Sequence, residues 1–356
     1  MWSHVICDSL TGVRQLEVFP SAGSWSTGVN SSIGAGGHTF VLRESGGPSM
    51  SAWRGLVRPW ARTLVVCWNG EPVYAGIIKN LDYDRDTGTL VVSHDEFRTL
   101  LARRLAQSGV PYASSGSFSV AGKSKRGMIR AIVARYTIRN PGDGFTFPVV
   151  LPADEAGGES RSWPFYEFAT AEDMVSEIQN ADGGPDVYFR PRWSATNTLE
   201  WVLEVGTPAL SAPTLEWVLG ADESPAIGVK QKTSGDSTLT GVVAIGKGTE
   251  QDMVLGFAGG LNSFPVWLDA TRSFKSVDNA ARLDALAMGE LRAVEQPTRQ
   301  LSVSSAPASV ALPNLRVGST LRLFVPSDDF IEEGLHIGRV IGLSGGLGNT
   351  IGVETQ

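Results

Sequence analysis

A chain of 356 residues is too long for one small core, and 42% apolar against 19% charged residues excludes a disordered polymer. A net charge of −7 excludes a general nucleic-acid coat, because phosphate binding needs concentrated Lys and Arg. Forty-one glycines and 19 prolines announce many turns and short strands.

The chain opens on "MWSHVICDSLTG", which has no basic segment followed by a long apolar core, so no signal peptide is expected. No apolar run approaches the ~18 residues of a membrane span. Cys7 and Cys67 each sit in an apolar run ("HVICD", "TLVVCWNG") and read as buried free thiols, in keeping with a reducing cytoplasm.

Residues 1–105 read as β. "TGVRQLEVF", "HTFVL", "RTLVVCWNG", "EPVYAGIIKNLDYD" and "TGTLVVSHD" follow one another. Asn69-Gly70 supplies the positive φ angles of a tight hairpin, and Asp86-Thr87-Gly88 does similar work for the next one. The result is a three-strand meander. It runs into a helix over 95–105, with Ser93 or Asp95 as cap, Phe97, Leu100, Leu101 and Leu105 inward, and Arg98, Arg103 and Arg104 outward.

Residues 106–224 mix classes. "KRGMIRAIVARYTI" reads as a helix, as does "TAEDMVSEIQNADGG", capped by Thr170 and ended by Gly183-Gly184. "DVYFRPRW" and "TLEWVLEVG" form a hairpin across "SATN". "LEWVL" occurs twice, at 199–203 and 215–219, as two strands whose Leu and Trp share a buried face. Two strands around a Ser-Gly-Asp turn occupy 225–250. A helix at 276–294 places Ala280, Leu283, Ala287 and Leu291 on one stripe. The tail, 299–356, returns to β.

Catalytic and ligand motifs fail on inspection. "GVVAIGKGT", Gly241 to Thr249, has the glycine spacing of a phosphate loop, but Gly248 stands where a Ser or Thr would hold magnesium. "AGKS" at 121–124 has Ser117 in place of the first glycine, and "GAGG" at 34–37 lacks the third glycine of a dinucleotide fingerprint. His4, His38, His94 and His336 are scattered and have no partner at metal-ligand spacing. Asp82-Asp84-Asp86 resembles the start of a calcium loop but carries Thr87 and Ser93 where Gly and Glu belong. These acids, and Asp328-Asp329-Glu332-Glu333, read as solvated turns. Of ten tryptophans, Trp25, Trp53, Trp60 and Trp163 sit near loops or strand ends, as anchors of core and subunit interface or as a sugar platform. No catalytic, cofactor-binding or metal residue is assigned, and no cofactor is expected.

Three segments in order carry a resemblance. They are "VYAGIIKNLDYDRDTGTLVVSHDEFRTLLARR" (Val73 to Arg104), "GGPDVYFRPRWSATNTLEWVLEVGTP" (Gly183 to Pro208) and "LPNLRVGSTLRLFVPSDDFIEEGLHIGRVIGLSG" (Leu312 to Gly345). Together they resemble the hub, or minor tail, proteins at the tip of long non-contractile phage tails of the actinobacteriophage type. Those are similar in turn to the trimeric hub of contractile tails. A fibre or lysozyme extension found in some relatives is not expected here. The resemblance implies a mainly β fold with α+β: two β-barrel tube domains, the second discontinuous, and an α+β domain. The first barrel would be 1–105 with its terminal helix. The α+β domain would be 106–224 and 251–298, and the second barrel 225–250 and 299–356.

The resemblance further implies a non-enzymatic homotrimer whose six barrels form a pseudo-sixfold ring capping or extending the tail tube. It would sit at the virion tail tip after assembly in the host cytoplasm. Its partners would be a hexameric distal tail ring, a tape-measure protein and further tail-tip or receptor-binding proteins, with phage DNA only passing through the lumen. The competing readings are a carbohydrate- or receptor-binding module and a tail-associated cell-wall glycan hydrolase, whose two carboxylates would have to face one cleft.

Overall fold

Among the described residues strand accounts for 48% and helix for 17%, the mainly β class expected from the glycine-punctuated apolar runs. The structure, a computed structural model, describes all residues except 31–34, 44–46, 107–114, 138–145, 182, 261–265, 275–276 and 307–313. The chain forms two units, one of Met1–Val229 with Val303–Thr355 and one of Lys230–Ser302.

The first unit begins with strands β1 (Trp2–Asp8), β2 (Arg14–Val18), β3 (Ala22–Gly28) and β4 (Ala35–Val41). Helix α1 (Met50–Leu56) follows, then β5 (Arg62–Trp68), β6 (Glu71–Asp84) and β7 (Thr89–Asp95). The meander is present: β5, β6 and β7 pair antiparallel in sequence order. Asn69 and Gly70 take φ of +50° and +86°, the left-handed pair that a two-residue hairpin turn needs. β5 is apolar at nearly every position because both its faces are covered. Val65 and Cys67 enter one core with Val5, Cys7, Ala75 and Ile77, while Leu64 enters a second with Ile6, Phe40, Trp53 and Ile78. Both cysteines are buried and free.

Three expectations fail in this half. Helix α1 lies inside a stretch read as β; Ser49 caps it by accepting from the Ala52 amide at 3.2 Å, and only Trp53 is fully buried. The helix expected at 95–105 is a single turn, α2 (Arg98–Leu101). Ser93 and Asp95 are not its caps, because β7 runs through both and pairs with β4 and β6 on either side. Arg98 points inward, at 4% exposure, where Glu172 meets it.

The chain continues through β8 (Ser117–Lys123), α3 (Lys125–Thr137), β9 (Val149–Val150), β10 (Glu159–Pro164) and α4 (Ala171–Gln179). Next come β11 (Val187–Trp193), β12 (Leu199–Val205), β13 (Ala212–Val218) and β14 (Ala226–Ser234). Thr170 caps α4 through a reciprocal box with Asp173: the Asp173 amide donates to Thr170 Oγ1 at 3.1 Å and the Thr170 amide to Asp173 at 2.8 Å. β11 and β12 form the expected hairpin. Leu199, Trp201 and Leu203 of the first "LEWVL" are buried beneath α3 and α4. In the second repeat Trp217 is buried and Leu215 packs at the edge of another core.

The second unit holds β15 (Gly241–Ile245), β16 (Leu255–Gly259), β17 (Asp269–Ser273) and α5 (Ala280–Val294). β15 is central, antiparallel to β16 and parallel to β17, so it does not pair across the Ser-Gly-Asp turn with β14. Leu283, Ala287 and Leu291 of α5 cover Val242 and Ala244; Ala280, expected on this stripe, is exposed at the helix start.

The chain returns through β18 (Thr298–Ser305), β19 (Ser319–Val325), β20 (Gly334–Gly346) and β21 (Ile351–Thr355). β20 pairs with β19, β21 and β3. The β20–β3 ladder makes one sheet of the strands from both ends of the chain, in the order β14-β18-β21-β20-β3-β4-β7-β6-β5-β1-β2.

Candidate functional site

The motifs weighed in the sequence lie apart and build no common centre. Gly241 to Ile245 of the phosphate-loop lookalike is strand β15, followed by a turn in which Gly248 has φ +112°. "AGKS" ends β8 and leads into α3. Of "GAGG", Ala35, Gly36 and Gly37 belong to β4, and Gly34 lies outside the described residues. Asp82, Asp84 and Asp86 are exposed at the tip of the β6–β7 hairpin. A hydrogen bond from the Thr87 side chain, joined by the amides of Asp86 and Thr87, holds the Asp84 carboxyl below its usual pKa. Leu312 and Pro313 of the third resemblance segment also fall outside the described residues.

What the topology does assemble is a histidine cluster. His4 on β1, His38 on β4 and His94 on β7 are far apart in sequence but meet inside the first unit, while His336 bonds separately to the Glu332 carbonyl at 2.7 Å. Register explains the meeting: His94 lies opposite Gly36, and His38 opposite Gly23. A Cβ on Gly36 would stand 2.1 Å from the His94 ring, and one on Gly23 2.2 Å from the His38 ring. Each imidazole therefore occupies the space that a neighbouring strand's glycine vacates.

The polar atoms form a chain. Tyr74 Oη lies 2.9 Å from His94 Nδ1, and His94 Nε2 lies 2.8 Å from His38 Nδ1. With Tyr74 donating, His94 carries its proton on Nε2 and passes a hydrogen bond to His38, whose proton is then on Nε2. The His4 ring meets the His38 ring edge-on at 5.0 Å. Burial penalises the imidazolium form, lowering His4 to about 4. It lowers His38 to about 2, with repulsion from His94 and His4 adding to burial, and His94 to about 3, with His4 adding. Burial likewise holds the Tyr74 hydroxyl well above its ordinary value, with Glu96 and Asp95 adding. The facing nitrogens of His38 and His94 share a proton, so they are not arranged as joint metal ligands. Among the described residues no group of His, Cys, Asp or Glu has metal-holding geometry. Sequence spacing could not find this cluster; its trace in the sequence was Gly76 inside the strand pattern "EPVYAGIIKNLDYD".

A second buried polar group joins α2 to α4. Arg98 Nε donates to Glu172 Oε2 at 3.0 Å, its second fork nitrogen bonds Glu172 Oε1, and Nη1 reaches Gln179 at 2.9 Å. The tryptophans divide: Trp25, Trp53 and Trp163 are core, and Trp60 is on the surface. Trp267 of the second unit is exposed as well, beside Phe257. A cavity of about 380 Å³ in the first unit is walled by Trp25, Val73, Tyr188, Val317 and Leu343, with Arg190 and Arg192 at its margin. Both arginines are already paired, to Glu204 and Glu200.

No protein-family model and no curated protein matches the chain. Among solved structures it is similar over nearly its full length to the 43 kDa tail protein of prophage MuSo2 from Shewanella oneidensis. That match has a TM-score of 0.63 at 9% identity, covering 99% of this chain and 98% of the other. It is similar also to a tail protein from Neisseria meningitidis MC58, with a TM-score of 0.60 at 12% identity, covering 99% and 96%. The fold is thus one found in tail proteins, and the resemblance carried by the three sequence segments is met by the fold.

Proposed function

We propose that this chain is a structural protein of a phage tail and, more narrowly, the hub of the tail tip. The observation that carries the reading is the extent of the fold match. It takes in 99% of this chain and nearly all of each tail protein, so it covers the whole arrangement of parts rather than one common module. In this reading residues 1–105 supply one tube domain, and 225–250 with 299–356 supply the other. Residues 106–224 and 251–298 form the α+β part. Three chains then contribute six similar β units, a pseudo-sixfold ring that matches a sixfold tail ring above it. The work consists of matching symmetry, closing a channel and holding the tape-measure and receptor-binding proteins. It needs edges and surfaces, and cyclic closure also removes exposed strand edges that would otherwise pair at random. The net charge of −7 suits a lumen through which DNA passes without sticking.

Reconstruction of an intact tail tip tests this directly. Three copies around the axis are expected; six copies in true sixfold symmetry, or one copy off the axis, would defeat it. The role is non-enzymatic, so purified cell wall should survive incubation with the chain. Soluble glycan release that a single Asp or Glu substitution abolishes would replace this reading with the hydrolase.

A further inference from the structure

Two exposed surfaces of the first unit have opposite character. The first centres on Trp60, which is 38% exposed and has φ +64°, a left-handed conformation uncommon for a bulky residue. The backbone is fixed there by the Trp60 amide, which donates to the Ile78 carbonyl at 2.7 Å. The Arg103 guanidinium lies 5.9 Å and Lys79 Nζ 6.0 Å from the ring centre. Arg54 and Arg58, a few residues before Trp60, are exposed too. Lys79 is paired with Asp95, whereas Arg54, Arg58 and Arg103 have no carboxylate partner among the described residues. An indole is thus held exposed in a left-handed conformation beside Arg103, a cation with no carboxylate partner among the described residues.

The second surface is the turn between β19 and β20. Phe330 there is 79% exposed, flanked by Asp328, Asp329, Glu332 and Glu333, and no Lys or Arg occurs between Arg322 and Arg339. The turn has a fixed shape. Asp328 Oδ1 accepts the amides of Phe330 at 2.9 Å and Ile331 at 2.8 Å, and the Ile331 side chain is buried in the core below. Phe330 is therefore presented rather than loosely tethered. Neither aromatic is covered in the single chain, so the two surfaces do not satisfy each other within it.

We infer that the Asp328–Glu333 turn of one copy docks on the Trp60 surface of the next copy, a contact that rests on the trimeric reading above. Charge complementarity selects the occupant: four carboxylates flanking one aromatic, with no basic partner among the described residues, meet Arg103 beside the other aromatic and the exposed Arg58 two residues before it in the chain. The contact joins two different surfaces, so it is head-to-tail and closes into a ring by rotation. Tryptophan and arginine are the residues that most often dominate interface energy, and the charges orient and speed the encounter. The other acidic tip, Asp82 to Asp86, fits less well. It carries Arg85, and Arg43 bonds to the Arg85 carbonyl at 3.0 Å, offsetting its charge.

The test uses the full chain in sedimentation velocity, at low and high salt, with melting curves to show that each variant is folded. Arg58→Glu with Arg103→Glu, or Asp329→Lys with Glu332→Lys, should each weaken self-association by roughly tenfold or more. The chain carrying all four changes should regain the trimer, because the reversed charges again face each other. High salt should weaken the wild-type trimer. A trimer undisturbed by both reversals, or not regained by the fourfold variant, overturns the contact and leaves the trimeric reading standing. Loss of the trimer on Asp82→Lys with Asp84→Lys, but not on Asp329→Lys with Glu332→Lys, gives the surface a different occupant and overturns the proposal. A wild-type chain monomeric at all concentrations defeats the trimeric reading and the contact together.

Discussion

Gly76 shows what a single missing side chain does in this fold. A Cβ there would stand 2.5 Å from both His94 Nδ1 and Tyr74 Oη, the two atoms that share the first hydrogen bond of the buried chain. The approaching atoms are the imidazole of His94, on the paired strand β7, and the phenol of Tyr74, two residues back on β6 itself. Gly76→Val would have to displace both rings and orphan buried polar atoms. Overpacking and an unmade buried hydrogen bond together should cost about 3 kcal/mol or more. Gly37 offers the control, because a Cβ there meets nothing within 4 Å. Gly37→Ala should change stability by only about 0.5 kcal/mol. Denaturant titration of the two variants checks this, and equal midpoints would defeat the account of Gly76.

At the scale of elements, α2 is too short to hold itself, since one turn fixes backbone for almost no hydrogen bonds. Its place is set by Phe97 and Leu101 in the core and by the Arg98–Glu172 fork reaching α4. Removing one partner leaves a buried charge alone, so Arg98→Met should cost about 3–5 kcal/mol. Arg98→Met with Glu172→Leu should recover much of that, because a well-packed apolar pair can replace a buried ion pair. A double variant no more stable than Arg98→Met would mean that the arginine acts through packing alone. The sequence reading placed Arg98 outward because a charged residue in a helical pattern is normally solvated, and a partner 74 residues away has no local signature. What was legible is what local rules determine: the Asn69-Gly70 hairpin, the Thr170 cap, the β11–β12 pair and the apolar stripe of α5. What was not legible depends on pairing between distant strands. β15 takes β16 and β17 as partners rather than β14, and the ladders β1–β5 and β4–β7 set three separated histidines side by side. Helix α1 escaped because its seven residues bury only Trp53 fully, too little to impose a period.

For the molecule as a whole, the buried histidines and cysteines set the pH range in which the first unit is stable. In the unfolded chain each of His4, His38 and His94 takes up a proton near 6.5; in the folded chain they resist protonation down to about 4, 2 and 3. Between those limits the unfolded state binds up to three more protons, so stability is full above pH 6.5 and falls as pH falls. Three such groups give a slope of about 4 kcal/mol per pH unit once all are charged in the unfolded chain. By about pH 4 the three groups together remove about 10 kcal/mol, so a fold stable by about 5–10 kcal/mol, the lower part of the usual range, is expected to unfold in acid at about pH 4–5. Cys7 and Cys67 act at the other end. Burial pushes both thiols from 9.0 up to about 12, so above pH 9 the unfolded chain loses protons that the folded chain keeps, and stability falls as pH rises. Thermal melting across the pH range should therefore trace a dome, flat between about 7 and 8.5 and steepest on the acid side. His4→Phe separates this cause from general acid swelling. Among the described residues the buried His4 Nε2 has no hydrogen-bond partner and the ring rests edge-on against His38, so the variant should fold and lose about a third of the acid slope. A wild-type melting temperature unchanged from pH 7.5 to pH 4.5, or an acid slope the same in His4→Phe as in the wild type, would show that the cluster does not govern acid stability.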